Sequence, residues 1–313
     1  GSEAAGDVGD GVSTAGAGCT ARLVCGRIVT RSRTRRLAEV SDESSQPNPR
    51  VILLGASNLT RGISTVVETA RLMLGGPMEV FAALGHGRSF GMRSRFLLRS
   101  LAGVLECGIW DALNTVRHQD IEASRHRDNT PTFALITDIG NDVMYGASPQ
   151  TITEWVAECA ARLAKHNARL IITPPPLESV HSLRPWKYTI AKAALFPTRP
   201  MTYEQAMSRT HELHERIVDL ARRLNTPTVG LPGEWYGFDP IHIKRFIWPD
   251  AWWRILSPWI EGGGERSDRA RASVARWAHL RSRTPASWQV LGMERGRQQP
   301  SGRLADGTRI SLF

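Results

Sequence analysis

The chain is predicted to fold as an α/β protein, a three-layer α/β/α sandwich around a central, mostly parallel five-stranded sheet. Two patterns carry this expectation. Short apolar runs of strand length recur at 51–54, 79–84, 133–137, 170–173 and 227–231, and segments of helical periodicity separate them. No internal repeat is visible. Strands that alternate with helices pack most simply as a parallel sheet with a helical layer on each face. In such sheets the ligand site lies beyond the carboxyl ends of the strands.

The elements follow in order. Val51–Leu54 is the first strand. Ile63, Val66, Val67, Ala70 and Leu74 then keep helical spacing, and Gly75-Gly76-Pro77 stops that helix. Glu79–Leu84 reads as the second strand, and Phe96–Leu105 as an apolar helix. The polar stretch Asp111–Thr130 reads as a surface loop or lid. Phe133–Thr137 is the third strand. Ser148-Pro149 opens a helix with a cap and a first-turn proline. Ile152, Trp155, Val156, Cys159 and Leu163 form the apolar face of that helix. Leu170–Thr173 is the fourth strand, closed by Pro174-Pro175-Pro176. Thr202–Gln205 has the form of a capping box for a helix running to about Leu224. Pro227–Leu231 is the short fifth strand. Trp248, Trp252, Trp253 and Trp259 fall at near-helical spacing, the pattern of a final core helix.

Three regions follow from these shifts. Residues 1–49, rich in Gly, Ser, Ala and Arg, read as a flexible leader. Residues 50–262 hold the folded domain. Residues 263–313 read as an Arg-rich C-terminal extension beyond the linker Gly262-Gly263-Gly264. Cys107 and Cys159 fall in apolar patterns as small hydrophobes, and Cys19 and Cys25 lie in the leader, where an oxidising compartment would let them pair. No Cys spacing suggests a metal or a disulfide framework.

The chain is 41% hydrophobic, with a formal charge of +10. No apolar run approaches membrane-spanning length. From Glu261 onward there are ten Arg against five acidic residues, so half the positive excess lies in the last segment. These arginines are scattered and lack the interleaved aromatics of a base-stacking surface, so nucleic acid is not the expected partner. The first residues lack a basic start with an apolar block behind it. No secretory signal is therefore expected, and the cytoplasm is the expected compartment. Gly1-Ser2 in place of an initiator Met reads as a processed start, which leaves a native leader open.

Three sites carry chemistry. Gly55-Ala56-Ser57-Asn58 places a hydroxyl on a tight turn after the first strand. Gly140-Asn141-Asp142 follows the third strand. Asp239-Pro240-Ile241-His242 sets a carboxylate three residues before an imidazole. Each has a plain structural alternative: Ser57 and Asp239 as helix caps, Asn141 as a turn residue. Together they supply a nucleophile, a base with its orienter, and an amide donor for an oxyanion. Histidine accepts a proton near neutrality. One oxyanion donor contributes about 3–4 kcal/mol in the transition state.

In these residues the chain resembles the SGNH (GDSL-like) hydrolases. Gly55–Thr60 resembles the nucleophile block and Gly85-His86-Gly87-Arg88-Ser89 the glycine block. Gly140-Asn141-Asp142 resembles the asparagine block and Asp239–His242 the Asp-x-x-His block. The resemblance spans about residues 50–250 and implies a flavodoxin-like sheet. It implies Ser57 as nucleophile, His242 as base and Asp239 as orienter. The oxyanion donors it implies are the N–H groups of Ser57 and Gly87 and the side chain of Asn141. Two positions depart from the family pattern: Ala56 stands where Asp is usual, and the glycine after the nucleophile falls one position late, at Gly62.

Other motifs fail on spacing. Gly55–Leu59 is not G-x-S-x-G. Gly85–Gly91 is one residue too long for a dinucleotide fingerprint. His211-Glu212-Leu213-His214-Glu215 misses H-E-x-x-H by one residue and reads as a solvated helix face. No metal or organic cofactor is expected. Asn58, Trp235 and Tyr236 are candidate substrate contacts, and the Pro174–Pro200 segment is a candidate second rim of the pocket. The function expected is hydrolysis of a small-molecule or carbohydrate ester through an acyl-enzyme on Ser57. Acyl transfer to a sugar or alcohol at the same site, and a basic binding module with a relic site, are the alternatives.

Overall fold

The computed structural model describes residues 47–96, 98–123, 130–195, 201–237, 239–260, 270–271 and 273–313. The leader, with Cys19 and Cys25, and the Gly262–Gly264 linker lie outside the described residues, apart from 47–49. Strand β1 (Arg50–Leu54) is wholly buried and runs into helix α1 (Ser57–Leu74). Gly75 ends that helix in the left-handed region (φ 77°), where a side chain would be strained. Strand β2 (Glu79–Ala83) is followed by a short hairpin of β3 (Ser94–Phe96) and β4 (Arg99–Leu101). Next come α2 (Ile109–Ala123), β5 (Thr132–Ile136), α3 (Asn141–Met144), α4 (Pro149–Ala164) and β6 (Arg169–Ile172). The Ser148 hydroxyl caps α4 by accepting the Thr151 N–H at 3.1 Å. Helices α5 (Leu177–His181) and α6 (Pro185–Leu195) lead to α7 (Tyr203–Arg223). The expected capping box opens α7, with Thr202 Oγ1 and Gln205 Oε1 each accepting the other residue's N–H, at 3.2 and 3.0 Å. Helices α8 (Trp248–Leu256) and α9 (Val274–Arg281) and strands β7 (Ser287–Val290), β8 (Met293–Gly296), β9 (Gly302–Arg303) and β10 (Arg309–Leu312) complete the order.

The central sheet is mostly parallel and has the order β6-β5-β1-β2-β10-β9. Among its strands β9 alone runs antiparallel, against β10. Strand β1 shows how the sandwich forms. Its alternate side chains point to opposite faces of the sheet. Ile52 and Leu54 pack with α2, α4 and α7, while Val51 and Leu53 pack with α1 and α8. A strand covered on both sides must be apolar throughout, which is why it reads as an unbroken run in sequence. Trp248, Trp252 and Trp259 are buried in the second of these layers, in keeping with the core helix expected there.

Four readings of the sequence are corrected. The sheet has six described strands rather than five, and the predicted strand at 227–231 contributes a single parallel bridge, Ile172 to Thr228. Phe96–Leu105 is not a helix. Val104 and Leu105 donate their N–H groups to Ser89 O and Phe90 O at 3.1 and 2.9 Å, and Gly103 lies so close to the 91–92 backbone that a Cβ would stand 2.9 Å from Gly91 C. Helical bonding there is displaced by contacts distant in sequence. The polar stretch after Asp111 is mostly helix α2, with Ile109, Trp110 and Leu113 in the core. Only residues 124–129 of it lie outside the description.

The last correction concerns the C-terminal region, which is no appendage. Gln46–Phe313 forms one compact unit. Strand β10 pairs in parallel with β2, Ile310 opposite Val80, and both Ile310 and Leu312 are buried. Its arginines find acids of the domain: Arg309 pairs with Glu79, and Arg276 with Glu68 at 3.0 Å. In turn Asp306 receives Arg71 at 2.7 Å. Counting Arg along the chain registers an excess of charge but not these partners. Among the described residues no helix is long and apolar enough to cross a membrane.

Because β10 covers β2, shortening its apolar contacts should weaken the whole sheet. Ile310→Ala is expected to lower the unfolding free energy by about 2–5 kcal/mol, read from urea denaturation. A change within about 0.5 kcal/mol would mean that β10 is not integral to the fold.

Candidate functional site

Strand β1 lies between β5 and β2, and successive connections leave it in opposite directions across the sheet. The carboxyl ends of β1 and β5 therefore border a topological switch point, where the loops part and leave a crevice. Thr137 N donates to Leu54 O at 2.9 Å as the two strands end. Gly55 allows this approach, since a Cβ there would lie 2.8 Å from Thr137 Cγ2.

Ser57 is the first residue of α1 and is buried. Ala56 precedes it and offers no side-chain cap. Asp138, just past β5, supplies one from across the sheet. Its Oδ2 accepts the N–H groups of Ala56 and Leu59 at 3.0 and 3.1 Å, and its Oδ1 accepts Asn58 Nδ2 at 2.8 Å. A carboxylate at a helix N-terminus is favourable both as an acceptor and as a charge on the helix dipole. Asp138 holds a left-handed backbone (φ 60°), a conformation that Asp tolerates better than most residues. The bonds to Ala56 and Leu59 leave the Ser57 N–H, at the start of the helix, available to another acceptor.

Asn58 carries this framework to the loop that holds His242. Its Nδ2 also donates to Ile241 O at 2.8 Å, and its Oδ1 accepts the Ile243 N–H at 2.8 Å. The segment between is Asp239–His242. His242 Nδ1 stands 2.6 Å from Asp239 Oδ2, an arrangement in which Nδ1 donates and the opposite ring nitrogen is free to accept. Asp239 Oδ1 accepts Ile241 N at 3.2 Å, and Arg61 lies 3.5 Å from Oδ2. Burial alone would raise the Asp239 carboxyl. The His242 hydrogen bond and charge, the Ile241 N–H and Arg61 together outweigh it and hold the carboxyl below its ordinary value.

Ser57, Asn141, Asp239 and His242 all border one cavity of about 460 Å³, with Asn58 and Tyr236. No hydrogen bond joins Ser57 to His242 among the described contacts. Such contacts often close only once substrate is bound. The walls are largely apolar, including Val143, Met144, Val180 and Leu183. Of the Pro174–Pro200 segment, residues between 174 and 192 line one rim, through the 174–176 prolines, α5 and α6, while residues 196–200 lie outside the described residues.

The remaining candidates fare differently. Asn141 opens α3 and lines the cavity. Tyr236 lines it too, and its buried hydroxyl has no hydrogen-bond partner among the described residues. Burial, reinforced by the charge of Asp138, pushes that hydroxyl up, so it stays protonated as a donor. Trp235 does not reach the cavity. It is packed in the core, with Arg254 5.6 Å over its ring. Neighbours in sequence on a short 3-10 turn point in different directions, and its sequence position alone could not separate them. Gly87 does not border the cavity either. Its backbone is left-handed (φ 64°), and its carbonyl accepts the Tyr145 hydroxyl at 2.6 Å. Asp142 fastens the same loop, accepting the Ser89 hydroxyl and the Phe90 N–H. Burial raises the Asp142 carboxyl to about 6, against the lowering effect of those two bonds. Gly62, the late glycine, lets α1 and α8 meet, since a Cβ there would lie 2.6 Å from Trp252 Nε1. Among the described residues no group of His, Cys, Asp and Glu could hold a metal ion, and His211 instead sits 3.4 Å from Glu215.

Asp138 is the residue that sequence reasoning missed. A signal existed: an acid just past the third strand, at the same sheet edge as a nucleophile block that lacks its usual acid.

No protein-family model matches the chain, and no curated protein matches it in sequence. Solved structures do resemble it in shape. A GDSL-like lipase from Bacteroides thetaiotaomicron is 15% identical with a TM-score of 0.41, over 69% of this chain and 91% of that one. A psychrotrophic esterase from Pseudoalteromonas sp. is 12% identical with a TM-score of 0.40, over 67% and 97%. AlinE4, an SGNH-hydrolase family esterase, is 14% identical with a TM-score of 0.36, over 75% and 93%. The chemistry of this chain is read from its own residues.

Two outcomes test the site's framework. Asp138→Ala strips acceptors from three donors and should destabilise the protein by at least about 2 kcal/mol in thermal or urea melts. An unchanged melt would mean that Asp138 does not hold the turn. His86, on the glycine loop, is brought from 6.5 to about 4 by burial first, then by the charges of Arg281, His242 and Arg61. The unfolded chain therefore takes up this proton first, and the His86 contribution to stability is lost as pH falls from 6.5 toward 4. In an NMR titration the His86 ring should stay neutral throughout the pH range above 5; a midpoint near the ordinary value would contradict the arrangement.

Proposed function

We propose that the protein is a serine hydrolase of carboxylic esters. The observation that carries this reading is the shared cavity. Ser57, His242, Asp239 and Asn141 come from three distant chain segments and border one largely apolar chamber. The resemblance of the four sequence blocks to SGNH hydrolases supports the same roles.

On this reading Asp239 keeps the proton on His242 Nδ1 and orients the ring. The opposite nitrogen takes the Ser57 proton as Ser57 Oγ attacks the ester carbonyl carbon. The Asn141 amide and the Ser57 N–H donate to the oxyanion as it forms. His242 then returns the proton to the leaving alcohol, and an acyl-enzyme remains on Ser57. Water repeats the cycle, giving its proton to His242 and releasing the acid. The Gly87 N–H would join the oxyanion donors only through a shift of its loop, because Gly87 does not border the cavity as it stands. The Tyr236 hydroxyl, buried and without a hydrogen-bond partner among the described residues, suits a substrate oxygen. The apolar walls suit an apolar acyl group, and nitrophenyl esters of rising chain length would measure the fit.

Ser57→Ala is expected to abolish turnover of such esters while leaving the melting curve intact. A fluorophosphonate should label Ser57 in the parent chain, as read by peptide mass spectrometry. Asn141→Ala should lower kcat by about 10²–10³-fold. Near-normal hydrolysis by Ser57→Ala, or labelling confined to other residues, would refute the proposal.

A further inference from the structure

A second cavity, of about 170 Å³, lies between the Gly85–His86 loop, the β3–β4 hairpin and the C-terminal region. It shares no lining residue with the chamber that holds Ser57. Its floor is aliphatic, with Ile63, Leu101, Leu280 and Ile310, and it is edged by Arg99, Arg281 and Arg283. No Asp or Glu lines it.

The arginines have neutral partners or none. Arg281 Nη1 donates to Thr60 O and to His86 Nε2, both at 3.3 Å, and its other nitrogens have no described acceptor. Arg283 bonds His279 O at 3.0 Å and Ser301 O at 3.3 Å, which leaves its charge unmatched. The Arg99 side chain makes no hydrogen bond or ion pair among the described contacts. Elsewhere in this chain arginines do meet acids, as Arg71, Arg276 and Arg309 do. Arg281 also lies 5.8 Å over the Trp277 ring, but none of the three guanidinium groups has an acidic partner among the described contacts, which leaves a positive potential at the rim of an apolar hollow. Burial lowers the His86 imidazole first, and the charge of Arg281 beside it adds to that lowering.

We propose that this cavity binds a small carboxylate with an apolar body, of the size of an arylcarboxylate. A guanidinium offers paired donors that match the two oxygens of a carboxylate. A cavity of about 150 Å³ is known to accommodate benzene, so one six-membered ring suits the floor. The apolar body excludes inorganic anions as the preferred ligand, and the charge excludes neutral aromatics.

Titration calorimetry on the full chain with benzoate tests this, with acetate and benzyl alcohol as controls. Benzoate should bind at one site and more tightly than either control. Arg99→Met and Arg281→Met should each weaken it by about tenfold. Binding should persist in Ser57→Ala and after fluorophosphonate treatment, so the result stands apart from the fate of the hydrolase reading. Absence of saturable benzoate binding, or equal binding in both arginine variants, would overturn the proposal. So would loss of binding after fluorophosphonate labelling, which would place benzoate in the Ser57 chamber. If Arg281→Met fails to fold, as judged by its melt, Arg99→Met decides, since the Arg99 side chain is exposed and holds no hydrogen bond or ion pair among the described contacts.

Discussion

The carboxylate of Asp138 is the constraint on which the site depends. It binds the turn before α1 through two backbone N–H groups and one side-chain amide. The Asn58 side chain passes that restraint on to Ile241 and Ile243, either side of His242. Five hydrogen bonds thus join the ends of β1 and β5 to a loop about a hundred residues downstream. Each is buried or partly buried, where an unmet donor is costly. The turn that carries the Ser57 hydroxyl and the loop that carries the His242 imidazole, which border one cavity, are thus tied by other groups.

The sheet itself rests on a similar long-range closure. Parallel strands cannot pair with their sequence neighbours through a tight turn, so every parallel pairing here spans a crossover. Without β10, strand β2 would present an open edge, and unpaired edges invite association with other chains. The C-terminal region closes that edge and adds a wall to the smaller cavity. Its arginines divide into two groups. Arg276 and Arg309 balance Glu68 and Glu79, whereas Arg281 and Arg283 face an apolar hollow without acids. The net positive charge is therefore partly internal structure and partly local field.

Much of the architecture was legible because burial on both faces writes itself as unbroken apolar runs. Val51–Leu54 and Phe133–Ile136 needed no partner to be recognised. The helix caps at Ser148 and Thr202 were legible too, since a cap is a contact within three residues. The hairpin at 94–101 was not. Its local composition fits a helix, and the pairing of β4 with β3 and with the distant β7, together with the bonds of Val104 and Leu105 to the 89–90 backbone, decides otherwise. Trp235 and Tyr236 mark the same limit at finer scale. Both are aromatic, adjacent and buried, yet one packs under Arg254 and the other lines the chamber.

The amino-acid sequence by itself determined the alternation of strand and helix and the edge of the sheet where Ser57 and Asn141 lie, because each is encoded by local pattern and residue type. Tertiary structure alone decided that Asp138 caps the turn before α1 in place of the residue at 56, that the Arg-rich end completes the sheet, and that Gly87 stands outside the chamber. These depend on distances between segments remote in the chain, and such distances exist only once the layers have packed.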